Sequence, residues 1–173
     1  MSAIAEFTGI TKDHCWPAWD LIQLIIRDAA KKKFINKLAG TIVVLEPRIP
    51  YTGQPIQDLP ILFKAGIAYD DPEAVIKYDE IAIDKAYITW KTGLPSAVVQ
   101  QRYPYLYQNG DTKWGGSTIT EGGLIVAFSG VETFGDEWIS ELMASTVTFF
   151  CRRGMLHKEI GVMAFPDQGF IGR

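Results

Sequence analysis

Ser117-Thr-Ile-Thr-Glu-Gly-Gly-Leu-Ile-Val-Ala-Phe-Ser129 reads as two strand-like runs, 117–121 and 123–129, joined at Glu121-Gly122-Gly123. Residues that favour strands fill both flanks, and the glycine pair can adopt the positive φ that a tight hairpin turn requires. Two strands joined by so short a turn pair antiparallel, whereas parallel strands need a crossover of a dozen residues or more. This stretch therefore sets the kind of sheet the chain builds.

On its C-terminal side, Gly135-Asp136-Glu137 opens a helix whose apolar stripe is Trp138, Leu142, Met143, Thr146, Phe149 and Phe150, with Gly154 closing it. Further upstream, Thr41-Ile-Val-Val-Leu45 is a short buried strand bounded by Gly40 and Pro47, and Ile61 to Ala68 is a second strand candidate. Between them, residues 46–60 carry Pro47, Pro50, Pro55 and Pro60, which leaves only a loop. Asp70-Asp-Pro-Glu73 is a helix start, with a carboxylate cap, a proline at the first position and an acid in the first turn. The helix, or a broken pair, runs to about Trp90 before Gly93 and Pro95 stop it. Ser96 to Arg102 suits a further short helix, and Tyr103 to Gly110 an aromatic loop.

At the start of the chain, Trp19, Ile22, Ile26, Ala29 and Ala30 recur at helical spacing. The pattern places the helix from Pro17 to about Phe34–Asn36, with residues 1–15 as an irregular lead-in and Met155 to Arg173 as a tail. Hairpin-like strand pairs separated by helices give an α+β fold: a mainly antiparallel sheet of four to five strands flanked by helices, in one domain over 1–173.

Composition narrows the function classes. Of 173 residues, 47% are hydrophobic and 21% charged, a globular balance, and the net charge of −3 lacks the basic footprint of a nucleic-acid binder. The basic run Lys31-Lys32-Lys33 ends a helix, where it complements the negative end of the dipole. Cys15 and Cys151 are too few for a disulfide framework and read as free thiols. No signal-peptide pattern opens the chain, and Asp20 and Arg27 bound Leu21–Ile26 too closely for a membrane span. The expectation is a soluble, cytoplasmic protein with no membrane or nucleic-acid partner.

Three stretches together resemble the GlcG/HbpS-like family, which is labelled haem-degrading or haem-binding and includes the C-terminal domain of PduO-type adenosyltransferases. They are Ile81-Ala-Ile-Asp-Lys-Ala-Tyr-Ile-Thr89, similar to that family's A-x-x-K-A helix; Thr92-Gly-Leu-Pro-Ser96 after it; and Gly115-Gly-Ser117 followed by Gly123-Leu-Ile-Val-Ala-Phe-Ser-Gly130 and Asp136-Glu137. The likeness covers about residues 17–152. It implies a profilin-like or GlcG-like architecture, a small-molecule ligand such as haem or another tetrapyrrole, and a homo-oligomer. The proline-rich loop 46–60 and the long tail depart from the family pattern.

Lys85 falls on the lysine of that motif, with Asp84 adjacent and Glu80 five residues before it. A lysine beside a pocket binds a carboxylate as a point charge, or serves as acid or base when burial lowers its pKa; on a helix surface its stem merely covers apolar neighbours. Gly115 and Gly116 let backbone approach a ligand, or simply make a tight bend into a strand. Trp114 and the Tyr103–Tyr107 segment offer aromatic faces for a planar ligand or a subunit interface. His14 is the candidate for haem iron, although a surface histidine is the plainer account, and zinc finds no ligand set. Ser129-Gly130 lacks the elbow pattern of a serine hydrolase.

The leading expectation is a small-ligand-binding accessory protein contacting its ligand through Lys85, Trp114, Gly115 and Gly116. The rivals are a cofactor-free isomerase or lyase on a small organic acid, with Lys85 and Asp84 or Glu80 as acid and base, and a structural oligomer that binds a protein partner.

Overall fold

A computed structural model of the protein describes residues 9–67 and 72–159, without the side chains of Pro72 and of residues 156–159. Four strands, β1 (Gly40–Leu45), β2 (Ile61–Ile67), β3 (Ser117–Ile119) and β4 (Ile125–Ser129), form one sheet in the order β2-β1-β4-β3, antiparallel throughout. Four helices accompany them: α1 (Lys12–Lys31), α2 (Pro72–Thr92), α3 (Ser96–Arg102) and α4 (Thr133–Glu159). The expected α+β class is the observed one.

The sheet is covered on both faces, and β1 shows why its sequence is an unbroken apolar run. Ile42 and Val44 pack with Trp19, Ile22 and Ile26 of α1 and Ile139, Met143 and Val147 of α4. Val43 and Leu45 point the other way, against Ala82, Ala86 and Trp90 of α2. Each such branched side chain taken out of water contributes about 1.5–3 kcal/mol, so the central strands anchor both layers. The hairpin turn closes where its glycines allow, with Gly123 donating its N–H to Thr120 O at 2.9 Å.

The helix ends differ from expectation for identifiable reasons. α1 begins at Lys12, so the lead-in predicted over 1–15 is helical from there and Pro17 sits inside the helix, not in its first turn. Thr11 is the N-cap, and its backbone N–H donates to His14 Nδ1 at 3.0 Å, the reciprocal contact that a glutamate usually makes at this position. α1 ends at Lys31, short of Phe34–Asn36. Lys33 takes the left-handed conformation at φ 61°, and the N–H groups of Lys33 and Phe34 return to the carbonyls of Ala30 and Ala29. α2 runs unbroken to Thr92.

α4 starts at Thr133, two residues before the predicted Gly135, and continues past Gly154 to Glu159. Gly154 does not close it. A Cβ there would lie 3.1 Å from His14 Nε2, so this glycine makes room for the N-terminal turn of α1. Cys15 and Cys151 are both free and belong to the α1–α4 side of the core. The Asp70-Asp71 cap and the apolar tail 165–171 lie outside the described residues.

Candidate functional site

The A-x-x-K-A spacing of α2 places Ala82 and Ala86 one turn apart against the sheet. Their small side chains bring the helix close, and Lys85 reaches across the end of β4. Its side chain is 2% exposed; Nζ donates to Phe128 O at 3.0 Å and to Asp136 Oδ2 at 2.6 Å. Asp136, in the first turn of α4, uses its other oxygen to accept the N–H groups of Gly130 and Val131 at 3.1 and 2.9 Å. One carboxylate thus fixes both the ammonium and the loop leaving β4. Burial pulls Lys85 below the ordinary ammonium range, opposed by the Asp136 carboxylate. Burial likewise raises Asp136 against the pull of Lys85 and the two backbone donors. The two groups are therefore closer in proton affinity than in water.

Gly116 lies directly beside this pair. Its φ is +124°, and a Cβ there would sit 2.6 Å from Asp136 Cβ and 2.8 Å from Lys85 Nζ. Its carbonyl accepts from Phe128 N at 3.0 Å and Ser140 Oγ at 2.7 Å, tying the bend to β4 and α4. Below it, Ser117 Oγ lies 2.6 Å from Thr89 Oγ1 and donates to Lys85 O at 3.0 Å.

A cleft of about 390 Å³ opens over the pair. Lys85 and Asp136 line it together with Lys37, Lys77, Tyr78, Ile81, Trp114 and the loop from Ser129 to Thr133. Lys77, Ile81 and Lys85 follow one another at four-residue spacing along one face of α2. Lys37 donates to Tyr78 Oη at 2.8 Å and lies 5.0 Å from the centre of its ring. Among the described residues three lysines face two carboxylates, Glu132 and Asp136, so that part of the lining carries a positive surplus on a chain of net charge −3. Trp114, 59% exposed, forms an aromatic wall. Glu137, the next residue of α4, is within electrostatic reach of Lys85, and its Oε1 has no hydrogen-bond partner.

The residues singled out in the sequence divide accordingly. Lys85 and Trp114 line the cleft; Gly115 and Gly116 stand behind it as packing positions, Gly115 against Glu137, Thr133 and Ala97. Neither Asp84 nor Glu80 is the partner of Lys85. Asp84 is held above the usual carboxylate range by burial and by the charges of Glu80 and Asp111, and Glu80 is exposed. His14 caps α1 beside Gly154, which lies about 27 Å along the α4 axis from Asp136. The aromatic loop expected over Tyr103 to Gly110 contains a short 3-10 turn, Pro104–Leu106, on which Tyr105 is exposed, in an edge contact with Tyr103. Sequence reasoning missed Asp136 as the counter-ion and Lys37, Lys77 and Tyr78 as rim residues. The spacing of Lys77, Ile81 and Lys85 was the available signal for the rim. No helix is long and apolar enough to cross a membrane, and no cluster of metal-ligating side chains occurs, both among the described residues.

No family model and no curated protein matches the chain. Among solved structures it is similar to the Ybr137w protein, at 15% identity over 79% of this chain and 77% of that one, with a TM-score of 0.49. It is also similar to a PduOC:heme complex, at 15% identity over 77% of this chain and 91% of that one, with a TM-score of 0.48. Likeness at this level carries no argument about ligand or activity.

Proposed function

We propose that the cleft over Lys85 binds a small organic anion, with the carboxylate drawn by Lys37, Lys77 and Lys85 and a flat body resting on Trp114. The observation that carries this reading is the buried Lys85 ammonium at a cleft whose described lining residues include more lysines than carboxylates. A cleft lined by one sign of charge concentrates counter-ions of the other, and partial burial reduces the screening they meet.

Haem, which the family resemblance implies, does not fit this lining. Haem iron takes histidine, cysteine, methionine or tyrosine. Among the described residues only Tyr78 of these lines the cleft, and its hydroxyl already accepts from Lys37. Among the described lining residues the apolar ones are Ile81, Trp114 and Val131, little for a macrocycle. His14 is engaged in capping α1 and lies beside Gly154, far along α4 from Asp136.

The test is a melting-shift and calorimetric screen of small aliphatic and aromatic carboxylates, with haemin alongside. Saturable stabilisation by a carboxylate is expected, and Lys77→Glu, on an exposed position, should weaken it several-fold, as a lost and reversed charge contact of about 1 kcal/mol would. Absence of any saturating carboxylate, or an unchanged affinity in Lys77→Glu, overturns the reading. A one-equivalent Soret shift with haemin would replace it with the haem reading.

A further inference from the structure

We propose that Lys85 is a carbonyl-condensing lysine that forms an imine with a 2-oxo acid held in the cleft. The inference rests on the anion-binding reading and names the substrate class of that same site.

Three features of the geometry lead there. First, the amine is at a cleft and not in bulk water: Lys85 lines it while 2% exposed. Imine formation expels water, and a site that excludes bulk solvent favours the condensed side. Second, Asp136 Oδ2 is 2.6 Å from Nζ and is itself fixed by the N–H groups of Gly130 and Val131. A carboxylate so placed can take a proton from the ammonium and return it without moving. Third, position 116 carries no side chain where a Cβ would stand 2.8 Å from Nζ, so backbone packs close behind the nitrogen while Lys85 itself lines the cleft. The lowered proton affinity of Lys85 and the raised one of Asp136 favour the same transfer. Desolvation of a lysine is one of the ways its amine is activated as a nucleophile.

The step balances with the residues present. Lys85 passes one proton to Asp136, leaving a free amine. Its lone pair forms a C–N bond to the carbonyl carbon, and the C=O π pair moves to oxygen, which takes the proton from Asp136. Asp136 then removes one proton from the nitrogen and delivers it to the hydroxyl. The C–O bond breaks, water leaves, and the nitrogen lone pair closes the C=N bond. The net change is ammonium plus carbonyl to iminium plus water, with Asp136 again a carboxylate and no oxidant or reductant used. The 2-carboxylate of the substrate faces Lys37 and Lys77, which supply the charge that distinguishes an oxo acid from a neutral ketone.

The experiment treats the full chain with pyruvate, and separately with glyoxylate, in the presence of sodium cyanoborohydride, followed by peptide mass mapping. The expected result is one reduced adduct on Lys85, at least tenfold above that on any other lysine, and suppressed by excess lactate, which can occupy the anion site but has no carbonyl to condense. Lys85→Met should abolish that adduct; because the substitution also breaks the buried pair with Asp136, the map of the unaltered protein decides the matter by itself. Adducts spread over surface lysines with Lys85 unmodified overturn the proposal. Lactate and pyruvate binding with no trapping would sink the condensation and leave anion binding standing; no binding of either would also sink the condensation, and no binding of any carboxylate in the screen would sink both.

Discussion

Lys85 Nζ and Asp136 Oδ2 lie 2.6 Å apart although 51 residues separate them in the chain, and both side chains are at most 5% exposed. The contact joins the α2 layer to the start of α4, across the end of β4. A pair in this position is worth little as net stabilisation, because removing two charges from water costs about as much as their attraction returns. Its significance is local: it orders the loop 130–131 and leaves an amine at a cleft.

Breaking the pair from one side should cost far more than the pair contributes. Lys85→Met leaves Asp136 buried without its ammonium, and a loss of about 3–5 kcal/mol in unfolding free energy is expected. Adding Asp136→Asn to it should recover part of that loss. Chemical denaturation of the two single variants and the double variant checks this; additive losses would show that the two groups do not interact energetically.

Gly116 and Gly122 should respond very differently to alanine. At Gly116 the new Cβ meets Asp136 and Lys85 below 3.0 Å with φ at +124°, so Gly116→Ala should cost at least about 2 kcal/mol. At Gly122 the nearest atom is 3.9 Å away and Gly122→Ala should be within about 0.5 kcal/mol of the parent. Melting temperatures of the two variants decide it.

Cys15 should make the fold sensitive to alkali. Burial, with Cys151 nearby, pushes its thiol up to about 12, whereas in the unfolded chain it ionises near pH 8.5 or so. Between those values the unfolded state has lost a proton that the folded state keeps, so stability falls as pH rises through that window. Cys15→Ala should therefore show a shallower decline of melting temperature above about pH 9 than the parent. Parallel declines would contradict this assignment.

Trp114 should matter for ligand and not for folding. It is 59% exposed, so Trp114→Ala should shift stability by no more than about 0.5 kcal/mol. Loss of its face should weaken an aromatic carboxylate such as benzoate by roughly two- to tenfold, the value of one stacking contact. Calorimetric titration of parent and variant measures it.

Much of the fold was legible because local signals decided it. The glycines of 121–123 turn the hairpin, the apolar run 41–45 is the strand covered on both faces, and the small-residue face of α2 carries Ala82 and Ala86. The misplaced helix ends had tertiary causes. Gly154 reads as a stop until His14 is seen to occupy the space beside it, and the left-handed Lys33 ends α1 while apolar Phe34 and Ile35 continue its pattern. The site divides in the same way. Lys85 was visible from its motif. Its partner was sought next to it at Asp84 and Glu80, because sequence spacing shows neighbours along a helix and not the carboxylate brought over by another element. Lys37 belongs to the turn after α1 and has no local feature that marks it.

Amide-resolved NMR titration of the isotope-labelled full chain with pyruvate tests the anion-binding cleft most directly. The account predicts saturable shifts concentrated at Gly130, Val131, Glu132 and the Trp114 indole, with the α1 face undisturbed. Shifts that grow linearly without saturating, or that gather on α1 while the 130–132 loop stays still, would contradict it.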